Sequence, residues 1–268
     1  IGCFIVAGAA LAWFIVAELR NPAPLLQIRL LAERNFGISM AVLTLFAIGM
    51  LGGTYLLPLY MQRGLGYTAL AAGSMFLPVG VIQGVLSAVS GYLTRYVRPL
   101  LLSAAGILIM ALSFWLASRF TLHTTHGHIL FILYLRGFGM GLTFAPLNLF
   151  SLKNLTQQDM AAAAGISNSI KQLAGSIGIA LLTVIFSART SYHAAHETVS
   201  AAQTYVEGVT DALRVVAVIT LAALLPLLGV FRKKRPGKSG VKGAATPSPG
   251  EAVSGKTDKT TIYRTKPE

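Results

Sequence analysis

Apolar residues in this chain neither alternate with polar ones nor recur only at every third or fourth place. They gather in near-continuous runs of about twenty, separated by short polar clusters. Seven runs can be drawn, over roughly 1–18, 36–61, 69–93, 99–118, 128–150, 165–188 and 211–231. A helix rises about 1.5 Å per residue, so about twenty apolar residues cross a hydrocarbon core roughly 30 Å thick. Each run holds few charges or none, and the period-two pattern of a membrane barrel is missing. The pattern predicts an all-α membrane protein with about seven transmembrane helices.

The connections group these helices. Residues 19–35, LRNPAPLLQIRLLAERN, form a much longer connection than the other early ones. Pro22 and Pro24 break helix there, and Leu25–Leu31 is expected as a short amphipathic helix on the membrane surface. This linker divides the chain into one span (1–18) and a compact six-helix block (36–231). Ile1–Ala17 has no basic leader and no small-residue cleavage pattern, so the sequence reads as starting inside a helix of a longer protein. Residues 232–268 are rich in Gly, Pro, Ser, Thr and Lys and are expected to form a disordered basic tail.

Composition changes the picture mainly through where the charge lies. The chain is 54% hydrophobic and 12% charged, against about 25% charged residues in soluble domains. Its net charge of +13 would suggest nucleic acid in a soluble protein, but ten of its 22 basic residues lie in the tail. No basic face interleaved with aromatics remains, so no nucleic-acid partner is expected. Arg20, Arg29, Arg34, Arg95, Arg98, Lys153 and the run Arg232–Arg235 fall in one set of alternate connections. The opposite set holds Arg63, Arg119 and Arg189, with all five histidines. Basic residues stay on the cytoplasmic side, which places the linker and the C-terminus in the cytoplasm.

Candidate chemistry is sparse. Leu135–Asn148, LRGFGMGLTFAPLN, sets Arg136 inside an apolar run and follows it with Gly137, Gly139 and Gly141, then Pro146. A guanidinium at that depth costs at least a few kcal/mol unless it faces a polar interior. Arg136 is therefore either a transport-coupling residue or a structural cation bonded to carbonyls or polar side chains. Gln62, Gln83 and Asn148 are candidates for a transport pathway, with Asn168 and Gln172 as further polar residues in or near spans. Lys171 reads as a side chain reaching to the interface. Met50, Tyr55, Tyr60, Met75, Phe76, Phe138, Met140 and Phe144 would suit a cavity for bulky apolar compounds, or simple packing.

Small residues four apart lie on one helix face and admit a second backbone. Gly49/Gly53, Gly80/Gly84, Gly137/Gly141, Gly165/Ser169 and Ala174/Gly178 have this spacing, and Gly175 belongs to the same stretch. Pro58, Pro78, Pro146 and Pro226 fall inside spans and predict kinks. Cys3 is the single cysteine, which excludes an internal disulfide and a multi-cysteine metal site. His123, His126 and His128 share one outer loop, and His193 and His196 another. Loop spacing of that kind fixes no tetrahedral geometry, so no metal or cofactor is expected. No nucleophile–base pair or phosphate loop appears, so the chain does not read as an enzyme.

Four stretches carry a resemblance: Leu135–Asn148, Tyr55–Gln62 (YLLPLYMQ), Gly73–Gly80 (GSMFLPVG) and Gly165–Ala180 (GISNSIKQLAGSIGIA). Together they resemble the second half of major facilitator superfamily transporters, most of all the fourteen-span drug:proton antiporters of multidrug efflux. The resemblance covers about Ile1–Phe231. It implies that 1–18 is an inter-half span and that 36–231 is the C-terminal half, built of inverted three-helix repeats. Arg136–Gly137 is similar to the arginine motif on the fourth helix of the N-terminal half. Gly91–Arg98 (GYLTRYVR) is similar to the cytoplasmic loop motif after the second helix, with Arg95 where an acidic residue is usual.

The implied function is proton-coupled efflux of hydrophobic or amphipathic drugs by alternating access, in a bacterial inner membrane. The implied partners are a small-molecule substrate, protons, the lipid bilayer and a missing N-terminal half. In Gram-negative relatives a periplasmic adaptor is added, with Ser191–Thr210 as its expected contact. Glu18, Glu33, Asp159, Glu197, Glu207 and Asp211 all read as outside the middle of a span. The proton-carrying carboxylate is therefore expected in the missing half. Two alternatives remain open: a facilitator-type exporter of a metabolite or siderophore, and a non-transporting membrane scaffold or sensor.

Overall fold

A computed structural model describes residue 13 and residues 28–153, 155–157, 159–196 and 200–233. All of the expected first span except Trp13, the tail beyond Lys233 and residues 19–27 of the linker lie outside the described residues. Within it, the surface helix expected over Leu25–Leu31 is represented by a 3₁₀ turn, Ile28–Ala32.

The described backbone is helical, and six of its helices or helix pairs are long and apolar enough to cross a membrane. The first span is α1 (Arg34–Leu59), prolonged by a π-helical turn over Tyr60–Gly64. The second is broken in two, α2 (Ala69–Ser74) and α3 (Leu77–Leu93). Then come α4 (Pro99–Ala117), α5 (His126–Leu152) and α6 (Asp159–His196). The sixth span is α7 (Ala201–Ala222) continued by α8 (Leu224–Lys233).

Local chemistry explains most of these ends. Pro78 takes the first turn of α3 rather than kinking a continuous helix, because its missing N–H needs no partner there. Pro99 opens α4 in the same way. Thr68 and Ser200 cap α2 and α7, accepting from the amides of Ala71 (3.2 Å) and Gln203 (3.3 Å). Gly66, between the π turn and α2, has φ of 72°, a left-handed conformation that a Cβ would strain. Pro58 and Pro146 lie within α1 and α5 as expected. Pro226 lies two residues into α8, just beyond the break at Ala223.

Two expected boundaries are corrected. The sixth span begins at Ala201, ten residues earlier than its apolar run, because α7 carries Glu207, Asp211 and Arg214 along its outer turns. Consequently the long outer connection Ser191–Thr210 is mostly helix, in the end of α6 and the start of α7.

Packing follows an exchange pattern. The first span rests on α6 and the fourth span, α5, on α3, while α4 and α7 meet each other and α1 touches α5. Swapping spans one to three for spans four to six maps these pairings onto one another, but α6 also packs on α7 whereas α3 and α4 make no comparable contact, so the exchange is only partial. Tight approaches make these pairings possible. A Cβ on Gly137 or Gly141 would press on the α3 backbone, 3.1 Å from the Val79 carbonyl and 3.0 Å from the Gln83 carbonyl. One on Gly139 would lie 2.8 Å from the Met110 amide of α4. Residues two apart on a helix point to opposite sides, so this triplet lets α5 sit between α3 and α4. Gly178 lets α6 reach the Ile48 backbone of α1, and Gly175 admits Leu51. Gly80, Gly84 and Gly165, by contrast, face open space. Their small-residue pairs make no helix contact within this bundle.

Candidate functional site

Arg136 is buried in the middle of α5, with 2% of its surface exposed. Its guanidinium crosses to α1, donating from Nη1 to the Gly53 carbonyl (3.2 Å) and from Nη2 to the Met50 carbonyl (3.0 Å). Nη2 also donates to the Thr54 hydroxyl, which itself donates to the Met50 carbonyl at 2.6 Å. The Phe114 ring of α4 lies under the guanidinium, with its centroid 5.2 Å from Cζ.

The sequence builds this nest locally. Helical carbonyls keep a second lone pair, so Met50 and Gly53 can accept from Arg136 while remaining in the α1 ladder. Gly53 has no side chain because the Phe114 ring occupies the place of its Cβ. One glycine therefore admits both the ring and the cation it supports. The planar guanidinium, with several donors in fixed directions, suits this set better than a lysine ammonium would. Among the described residues no carboxylate is paired with Arg136. Of the two readings of Arg136, the geometry matches a cation bonded to carbonyls and a hydroxyl.

The other sequence candidates are not gathered around it. Asn148 is three turns along α5, about 18 Å away, on the wall of a cavity of about 350 Å³ between α1, α5 and α6. Leu43, Phe144, Ser167, Asn168 and Lys171 line the same cavity. Gln62 is exposed on the π turn at the opposite end of α1. Gln83 is half-buried on α3, its backbone close to Gly141. Tyr60 and Met75, expected among cavity candidates, belong to the core. Tyr60 stacks on Phe120 and donates to the Thr121 carbonyl at 2.7 Å. Phe144 alone of that aromatic and methionine set lines the cavity with Asn148.

One charged constellation was not expected. Where the end of α6 meets the start of α7, His193 lies between two carboxylates: Nε2 is 3.1 Å from Asp211 Oδ2, and Nδ1 is 3.6 Å from Glu207 Oε2. Asp211 also accepts from Arg214 (2.9 Å) and has Arg189 at 3.9 Å. His193 and Asp211 side chains are 16% and 19% exposed. Both carboxylates lie in the first turns of the helix that crosses as the sixth span, away from its middle as expected. Asp211 is 21 residues from Arg232, about 31 Å along a helix, which is about the thickness of a hydrocarbon core. The spacing carried a readable signal: Arg189/His193 and Glu207/Asp211 are both four-residue pairs that adjacent helices can bring face to face.

Comparison with known proteins gives the family. The Major Facilitator Superfamily model matches residues 1–179. The multidrug export protein EmrB of Escherichia coli (strain K12) is 32% identical over 197 residues, 73% of this chain and 38% of that protein. The fatty acid resistance protein FarB of Neisseria gonorrhoeae is 30% identical over 189 residues, 70% of this chain and 37% of FarB. An MFS-type transporter of Bacillus subtilis (strain 168), YhcA, is also 30% identical over 189 residues, 36% of its length. The chain thus spans between 36% and 38% of the length of these relatives. With six described helices able to cross a bilayer and a family match over two thirds of its residues, the chain is a multi-pass membrane protein of the major facilitator superfamily.

Proposed function

We propose that this chain is the C-terminal part of a secondary exporter that moves hydrophobic or amphipathic compounds out of the cell by alternating access, coupled to protons. Residues 36–231 form the six-helix half, 19–35 the cytoplasmic linker, and 1–18 a span between halves. The observation that carries the reading is the pair of apolar stripes left uncovered on the flanking helices. Leu77, Val81, Val85 and Val89 of α3, and Leu173, Ile177 and Val184 of α6, stay exposed, as do Leu108, Leu112 and Trp115 of α4, and such faces are covered either by lipid or by a second half. A half that docks a second half across a substrate pathway needs such faces beside it, and the partial exchange of pairings between the two sets of three spans supports rocking of one half against the other. The multidrug and fatty-acid relatives support an amphipathic substrate. The fatty-acid relative is also what favours the second reading, export of an amphipathic metabolite.

The linker and the C-terminus face the cytoplasm of a bacterial inner membrane, on the distribution of basic residues. A proton-carrying carboxylate, a substrate and, in Gram-negative cells, a periplasmic adaptor complete the transporter. Adaptor contact would fall on the helix ends near Ser191–Thr210 rather than on an extended loop. The test is dye and drug efflux from inverted vesicles carrying the full-length protein, with and without a protonophore. Export that collapses with the proton gradient supports the reading. Export indifferent to that gradient overturns proton coupling, and no export of any amphipathic compound overturns the function.

A further inference from the structure

Three successive contacts hold α6 against α7 as the two helices approach their connection. Phe186 meets the Tyr205 ring edge-on, with centroids 5.0 Å apart. One turn later Thr190 lies against Gly208, where a Cβ would press on the Thr190 hydroxyl and lie 3.2 Å from its amide nitrogen. The Thr190 hydroxyl itself donates to the Phe186 carbonyl at 2.8 Å. The next contact along α6 is made by His193, which reaches Glu207 and Asp211 on successive turns of α7. The first two contacts rest on shape and carry no charge, so only the third can respond to a proton.

A neutral imidazole has one N–H and one lone pair. Both ring nitrogens of His193 face carboxylate oxygens, Nε2 at 3.1 Å and Nδ1 at 3.6 Å, so a neutral ring must aim its lone pair at one of them. Only the doubly protonated ring offers a donor to each. Glu207 gives a second, independent sign. Its Oε1 accepts from Gln203 at 3.2 Å, while Oε2 is buried and has no hydrogen-bond partner among the described residues. A buried carboxylate oxygen left without a donor is costly, and Nδ1–H of a protonated His193 is the donor placed to meet it.

The other charges around the ring do not remove this need. Asp211 accepts from Arg214 of α7 and has Arg189 of α6 at 3.9 Å. Among the described residues both arginines thus pair with Asp211 rather than with Glu207. Tyr192 sets its ring nearly perpendicular to that of His193, with centroids 5.7 Å apart. From the connection between α4 and α5, His123 lines a small cavity together with Glu207. Arg63, at the end of the first span, lies beside Tyr205 on α7. With His193 neutral, two acids meet two arginines in the cluster, and the proton on His193 adds the one positive charge that Glu207 lacks.

We propose that His193 is a proton-operated clasp between α6 and α7. The imidazolium holds Asp211 and Glu207 at once; loss of its proton releases Glu207 and lets the end of α6 move away from α7. Histidine is the side chain whose ordinary titration falls between about pH 5 and pH 8. The clasp is therefore closed on the acid side of that range and opens as pH rises through it. It is separate from the carboxylate assigned to proton coupling above, and it stands whatever the protein exports.

The test is the distance between spin labels at Ser191 of α6 and Leu112 of α4, both exposed. The full-length protein, on a cysteine-free background in lipid nanodiscs, is measured at about pH 5 and about pH 8. The expected result is one narrow distance population at the acid pH and a second, displaced population at the higher one. His193→Gln loses this response and gives the same distribution at both pH values. His193→Lys, whose ammonium stays charged across the range, also loses the response and keeps the narrow population throughout. The comparison without any histidine variant is decisive by itself: identical distributions at the two pH values overturn the proposal. A pH response that persists in His193→Gln or in His193→Lys overturns it as well, since the titrating group then lies elsewhere. Neither readout involves transport, so this result and that of the efflux assay fail independently.

Discussion

Arg136 of α5 and Gly53 of α1 meet in a hydrogen bond of 3.2 Å from guanidinium to backbone carbonyl. The absence of a side chain on Gly53 lets the Phe114 ring lie against that same turn and beneath the Arg136 cation. Three helices are tied at one point by one glycine, one ring and one charge.

Replacing Arg136 by Gln should lower the stability of the bundle by about 1.5–3 kcal/mol, the usual worth of hydrogen bonds to a charged group. Arg136→Lys should recover only part of this, since an ammonium cannot span two carbonyls and a hydroxyl in fixed directions. Thermal unfolding in detergent measures it. An unchanged midpoint in both variants, with transport lost, would return Arg136 to a coupling role.

Gly139 and Gly80 make a matched pair. A Cβ at Gly139 would sit 2.8 Å from the Met110 amide, while one at Gly80 meets nothing. Gly139→Ala should destabilise by about 1–3 kcal/mol, the range for overpacking. Gly80→Ala should be neutral or slightly stabilising in the isolated half, because alanine favours helix by up to ~1 kcal/mol over glycine. Comparing detergent unfolding of the two variants checks this, and equal effects would refute the packing seen at α4.

His193 and Asp211 should couple energetically across α6 and α7. Arg189 and Arg214 are more than half exposed, so their share is discounted for solvent screening. A double-mutant cycle with His193→Gln and Asp211→Asn should give a coupling of about 0.5–1 kcal/mol, near the upper end for partly exposed pairs. A coupling indistinguishable from zero would mean that the cluster contributes nothing to joining these helices.

The proposed orientation can be mapped because Cys3 is the single cysteine. With Cys3 replaced by Ser, a new cysteine at Thr121 should react with an impermeant maleimide from outside intact cells. One at Lys153 should react only after permeabilisation. The reverse pattern would invert the topology.

The sequence by itself determined the class and the number of described spans. Continuous apolar runs about as long as a bilayer is thick admit few structures besides a helix, which satisfies its own backbone. The buried Arg136, the packing glycines and the family likeness were legible for the same reason, since each breaks a run that lipid would otherwise leave uniform. Partners were decided only by tertiary structure. Hydropathy cannot tell that Gly139 faces α4 while Gly137 faces α3, that Gly80 faces nothing, or that Arg136 ends on carbonyls rather than on an acid. It also missed the outer cluster, because charged residues lower the hydropathy of a turn whether they stand in a wet loop or pair with a neighbouring helix. His193, Glu207 and Asp211 become one site only when α6 and α7 are laid side by side. Only the tertiary structure puts Lys171 on the wall of a cavity that Asn148 and Phe144 also line.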